Sequence, residues 1–138
     1  MKVSEVMCPE FEIATPDTTL REAAQMMRDG DFGYLPVGEN DRLSGALTDR
    51  DIVIRAVAEG LDADTPVRQI MTENVVYCFE DNDISEAGDV MRTRQIRRLV
   101  VLDRDKRMVG ILSIGDIARD TDDSHLTGKI ETGVAQET

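Results

Sequence analysis

Two short stretches place a hydroxyl and a carboxylate three residues apart, Thr48-Asp49-Arg50-Asp51 and Ser113-Ile114-Gly115-Asp116. On spacing alone this is a helix-capping pattern, in which the hydroxyl and the acid satisfy backbone N–H groups at a helix start. The same groups are also an acceptor-only carboxylate and a set of oriented donors. A basic run lies upstream of the second stretch: Arg92, Arg94, Arg97, Arg98, Arg104, Lys106 and Arg107 face only Asp103 and Asp105, a local charge of +5 in a chain of net charge −12. Such a run is either a solvated face or the wall of a polyanion pocket. It carries no interleaved aromatics, and 28 acidic against 16 basic residues repel a phosphate backbone, so nucleic acid is disfavoured. The single histidine, His125, falls in a polar stretch near the end, and the two cysteines, Cys8 and Cys78, have no metal-ligand spacing. Hydrolase and zinc chemistry therefore lack their usual groups, no metal site is expected, and the cysteines read as reduced and structural.

The elements that must position these groups come twice. Shifting the sequence by 64 places superposes Val3 on Val67, Met7 on Met71, Asp17 on Asp81, Glu22 on Glu86, Ala23 on Ala87, Met27 on Met91, Leu35 on Leu99 and Val37 on Val101. One inserted residue between Asp103 and Lys106 raises the offset to 65, and Gly45, Leu47, Asp51 and Ile52 then meet Gly110, Leu112, Asp116 and Ile117. Each copy reads as strand, helix, strand, strand, helix. The first strands are expected at 11–14 and 75–78. The first helices start at Thr19-x-x-Glu22 and Asp83-x-x-Glu86, with Leu20, Ala23, Ala24 and Met27 facing a core in copy one and Gly30 ending that helix. The hairpin strands are expected at 34–37, 43–47, 99–102 and 108–112, and the second helices at Thr48 and Ser113, the former stopped by Gly60. The predicted organisation is repeat one at 1–60, a linker at 61–66, repeat two at 67–119 and a mobile polar tail at 120–138.

These motifs resemble the tandem CBS domain pair, or Bateman module, of the stand-alone prokaryotic type. The resemblance rests on Gly45-Ala46-Leu47-Thr48-Asp49-Arg50-Asp51-Ile52 and Gly110-Ile111-Leu112-Ser113-Ile114-Gly115-Asp116-Ile117. It extends to Leu35-Pro36-Val37, to Ile96 through Val101, and to the leading motifs Val6-Met7 and Ile70-Met71-Thr72, and so covers 3–119. It implies an α/β fold of two repeats packed as a pseudo-two-fold pair, with an adenine nucleotide (AMP, ADP or ATP, or in some members S-adenosylmethionine or NAD) in the cleft between them. Carried over residue by residue, Asp51 and Asp116 would accept the ribose hydroxyls. Thr48 and Ser113 would face phosphate, Arg98 with Arg97 would supply phosphate cations, and Thr15 would support the site. Copy one has Gly33-Tyr34 where copy two has Arg97-Arg98, and Asp49 beside Arg50 repels phosphate, so the Ser113–Asp116 half-site is expected to be the better anion binder and the Thr48–Asp51 half-site weaker, empty or selective for a less charged ligand.

With 138 residues and 41% hydrophobic content the chain can bury a core, and no apolar stretch is long enough for a membrane span or signal peptide. It reads as a soluble, cytoplasmic, homodimeric sensor that transmits nucleotide binding by population shift to a protein partner. The rival readings are an interaction module with a vestigial site and an enzyme. The second lacks any nucleophile and base at recognisable spacing.

Overall fold

The computed structural model describes residues 1–121, so His125 and the tail beyond Thr121 lie outside the described residues. The chain forms two compact units. The middle unit is Glu12–Val75; the split unit joins Met1–Phe11 to the chain from Val76 onward. These units do not coincide with the sequence repeats, because each contains the leading segment of the other copy.

In the middle unit, α2 (Leu20–Gly30) is followed by the hairpin β1 (Tyr34–Glu39) and β2 (Arg42–Thr48) and by α3 (Asp49–Asp51), which continues as a π-helical segment, Ile52–Val57. The α2 cap is reciprocal: Thr19 Oγ1 accepts the Glu22 N–H at 3.1 Å and Glu22 Oε1 accepts the Thr19 N–H at 3.3 Å. Leu20, Ala23 and Met27 are buried with Leu35, Val37, Leu47, Ala56, Val67 and Ile70. Ala24, expected in the core, is exposed. The apolar stripe is centred between Ala23 and Met27 with Met26 packed on its far flank, and Ala24 falls off the opposite edge. Gly30 does not end the helix by a left-handed turn. Asp31, at φ 56°, does so, and Gly30 is instead the seat of the Phe32 ring, which a Cβ there would meet at 2.2 Å.

The split unit contains α1 (Val3–Val6), β3 (Tyr77–Phe79), α4 (Ile84–Arg94), β4 (Arg98–Leu102), β5 (Met108–Ser113) and α5 (Ile114–Thr121). Its sheet has the order β3-β4-β5, with β3 parallel and β5 antiparallel to β4. Val3, Val6, Met91, Leu99, Val101, Leu112 and Ile117 form its core.

The two first strands differ from expectation and from each other. Copy two has β3, whereas the stretch 11–14 contributes only Ala14, bridged to Val37. Glu80 extends the copy-two ladder by donating its N–H to Leu102 at 2.9 Å. Its counterpart is Pro16, which has no N–H to give. The offset change from 64 to 65 is likewise local. The β1–β2 turn is made by Asn40 and Asp41, both at positive φ, while the β4–β5 turn adds a residue and places Lys106 at φ 63°.

Both leading segments dock in the same way. The Val3 N–H bonds to Asn82 O at 2.9 Å and the Val67 N–H to Thr18 O at 2.8 Å. Cys8 pairs with Ile111, and Thr72 with Ala46. The connector 61–66 is also tied down, since Ala63 and Thr65 accept the N–H groups of Arg21 and Leu20 at 3.0 and 2.9 Å.

Candidate functional site

The two hydroxyl–carboxylate pairs sit where the last hairpin strand of each unit turns into a helix. Thr48 Oγ1 accepts the Asp51 N–H at 3.0 Å and Asp51 Oδ2 accepts the Thr48 N–H at 3.0 Å. Ser113 Oγ accepts the Asp116 N–H at 3.1 Å and Asp116 Oδ2 accepts the Ser113 N–H at 3.0 Å. Both pairs are therefore reciprocal capping boxes. Capping uses one oxygen of each acid. Asp116 Oδ1 takes a hydrogen bond from the Arg119 guanidinium, and Asp51 Oδ1 lies 3.9 Å from Arg55 Nε. An ionised carboxylate has about four acceptor positions, so each acid keeps acceptor capacity. Their side chains remain 20% and 13% exposed, for Asp51 and Asp116 respectively.

The glycine that begins each motif is what seats the leading segment. A Cβ on Gly45 would stand 2.7 Å from Met71 Sδ and 2.8 Å from Thr72 O; one on Gly110 would stand 2.6 Å from Met7 Sδ and 3.0 Å from Cys8 O. These roles are absent from the motif-based expectations. The signal available was that glycine and methionine recur at matching positions in both copies.

The flanking strands differ in charge. In the split unit Arg98 is opposite Ser113 across the ladder, and the Arg97 carbonyl accepts the Ile114 N–H at 3.1 Å. Both arginines are exposed, and among the described residues neither guanidinium has a hydrogen-bond or ion-pair partner. Arg104, by contrast, is committed: it forms a bidentate pair with Asp81, at 2.9 and 2.7 Å, and its guanidinium lies 4.1 Å over the Phe79 ring. Arg104 thus serves the structure, whereas Arg97 and Arg98 are unpaired among the described residues. In the middle unit Tyr34 is opposite Thr48, and the Gly33 carbonyl accepts the Asp49 N–H at 3.1 Å.

Arg97, Arg98, Ser113 and Asp116 are brought together in the split unit, as Thr48 and Asp51 are in the middle unit. Within its own unit Thr15 lies away from the Thr48–Asp51 pair. Ala14 runs parallel to β1 beside Val37 while Thr48 pairs with Tyr34, which sets Thr15 about four strand positions, or about 13 Å, from the Thr48 row. Thr15 instead closes a local turn, donating its N–H to Thr18 Oγ1 at 3.0 Å.

Both cysteines are free. Burial pushes the Cys78 thiol up to about 12, so it stays protonated at neutral pH. Cys8 is exposed, and its thiol donates to Glu10 O at 3.0 Å.

Two α/β units, each with a capped carboxylate at a strand-to-helix turn, define a tandem-repeat α/β protein. The CBS domain family profile matches residues 3–57 and 67–121, and the chain belongs to that family. It is similar over 135 residues, at 33% identity, to the CBS domain-containing protein YhcV of Bacillus subtilis, covering 98% of this chain and 96% of that one. It is 46% identical over 103 residues to hypoxic response protein 1 of Mycobacterium tuberculosis, covering 73% of this chain and 71% of that one. A crystal structure of hypoxic response protein I with two coordinated zinc ions has a TM-score of 0.80 at 38% identity, covering 87% of this chain and 98% of that one. The CBS domain pair of protein MJ0100, in complex with 5′-methylthioadenosine and S-adenosyl-L-methionine, has a TM-score of 0.77 at 26% identity, covering 88% and 96%.

Among the described residues no three His, Cys, Asp or Glu side chains gather into a ligand set. Among them, too, no helix is long and apolar enough to cross a membrane.

Proposed function

We propose that this protein is a non-catalytic regulatory module that binds an adenosine-containing ligand, with AMP, ADP or ATP favoured over S-adenosylmethionine or NAD. The observation that carries the reading is the split-unit half-site, where two guanidiniums without a partner among the described residues flank a helix start whose Asp116 keeps acceptor positions. The carboxylate suits a vicinal diol, and paired arginines suit phosphate oxygens. The adenosine ligands of MJ0100 support the ligand class. Binding stabilises one conformation of the module over another, and a protein partner reads the shift.

A thermal-shift panel with millimolar AMP, ADP, ATP, NAD and S-adenosylmethionine tests this. A ligand at a hundredfold excess over its Kd stabilises by about 2.7 kcal/mol, so a rise in Tm of several degrees is expected with at least one phosphorylated member. A flat panel returns the protein to the rival class, an interaction module with a vestigial site.

Self-association is the second part of the reading. Val53, Ile54 and Val57 are 55%, 51% and 69% exposed on one helical segment of the middle unit, more apolar surface than an isolated surface helix turns to water. A second copy covers this face in a two-fold homodimer of cytoplasmic protein. Sedimentation should give a dimer for the native chain and a monomer for Val57→Lys; a native monomer refutes it.

A further inference from the structure

The two half-sites share a backbone and a capping box but carry opposite charge at one place. At the position of Arg97 the middle unit has Gly33, and at the position of Ile114 it has Asp49. Ile114 is buried in the split-unit core. Asp49 instead folds over the strand start: a Cβ on Gly33 would lie 2.7 Å from Asp49 Oδ2 and 3.1 Å from Oδ1. Its Oδ1 also accepts the Arg50 N–H at 2.8 Å, which holds the carboxylate there. Gly33 and Asp49 therefore form one steric unit, since no side chain at position 33 is compatible with this placement of Asp49. The carboxylate crowds the position of a side chain at residue 33, where the matching residue of the split unit, Arg97, carries one.

We propose that the Gly33–Asp49 pair is a specificity determinant: it makes the middle-unit half-site refuse a 5′-phosphate and take an adenosine whose 5′ substituent is uncharged or cationic, a thioether or sulfonium. The split-unit half-site, with Arg97 and Arg98, takes the 5′-phosphorylated form. The inference rests on the adenosine-binding reading above and adds that the chain senses two adenosine classes at once. The physical basis is Coulombic. A fixed carboxylate a few ångströms from a phosphate penalises it, and at a solvent-exposed position the penalty is about tenfold in affinity. The same carboxylate is neutral or favourable toward a thioether or sulfonium. Asp51 and Arg55 lie 3.9 Å apart, so Arg55 is engaged with the ribose-binding acid and does not cancel Asp49.

The experiment is calorimetry with AMP and with 5′-methylthioadenosine on the full chain carrying Asp116→Ala, which silences the split-unit half-site. This chain should keep 5′-methylthioadenosine and bind AMP at least about tenfold more weakly. Adding Asp49→Asn, which keeps the shape and removes the charge, should narrow that gap by about tenfold. The transplant Gly33→Arg with Asp49→Ile should invert the preference. An AMP-to-thioadenosine ratio unchanged by both overturns the proposal, as does loss of both ligands in Asp116→Ala. If the native chain binds neither AMP nor 5′-methylthioadenosine, the adenosine reading itself fails and this inference falls with it.

Discussion

Replacing Val67 with alanine should lower stability by about 2–3 kcal/mol and loosen residues 12–75, not the repeat to which Val67 belongs by sequence. Val67 is fully buried, and it lies in the core with Leu20, Leu35, Val37 and Leu47. Its N–H and carbonyl are both engaged, the former by Thr18 O at 2.8 Å and the latter by the N–H groups of Ile70 and Met71 at 3.0 and 2.9 Å. Removing two methyl groups forfeits roughly 1.6 kcal/mol of transfer free energy, and the unfilled space adds the remainder. Segment-resolved hydrogen exchange is the decisive measurement. Protection should fall in α2, β1 and β2 after Val67→Ala, and in α4, β4 and β5 after the matching Val3→Ala, because Val3 is buried with Ile84, Met91 and Leu99. Loss confined to the substituted residue's own sequence repeat would contradict the exchanged leading segments.

That exchange shows what a sequence of this kind can and cannot disclose. The repeat, the helix starts at Thr19 and Asp83 and the hydroxyl–carboxylate turns were all legible, because each is a local pattern with its own hydrogen-bonding logic. The partner of each leading segment was not. Met7 over Gly110 and Met71 over Gly45 are the same contact chemically as Met7 over Gly45 and Met71 over Gly110. Similarity between the copies makes the two assignments degenerate, and only three-dimensional packing chooses. Pro16 was a different kind of miss. Its position in the chain was plain, yet its consequence, a single bridge where copy two has a strand, depends on which carbonyl would have received the missing N–H. Asp49 was legible as a charge that repels phosphate, whereas its seat against Gly33 depends on backbone geometry. Thr15 carries a role by motif alone, and parallel registration with β1 sets it away from the Thr48 row of its own unit.

Asp116→Ala should separate the two duties that spacing alone left superposed. As a cap, Asp116 satisfies the Ser113 N–H, and its loss costs about 1–2 kcal/mol of stability. As a ligand group it would accept two ribose hydroxyls through charge-assisted bonds, each contributing about 1.5–3 kcal/mol, so AMP affinity should fall by about a hundredfold or more. Ser113→Ala provides the control. It removes the hydroxyl that accepts the Asp116 N–H and so costs a similar cap energy, about 1 kcal/mol, but it leaves the carboxylate in place and gives up only the one contact of the Ser113 hydroxyl with phosphate, so AMP should weaken less than in Asp116→Ala. If capping were the whole role of Asp116, chemical denaturation would rank the two variants together and calorimetry would rank them together as well. A gap in AMP affinity of more than about tenfold between variants of equal stability assigns the carboxylate to the ligand. Asp51→Ala should show the cap cost without the AMP loss, because the carboxylate of Asp49 and the absence of arginines at positions 33 and 34 already disfavour phosphate in the middle unit.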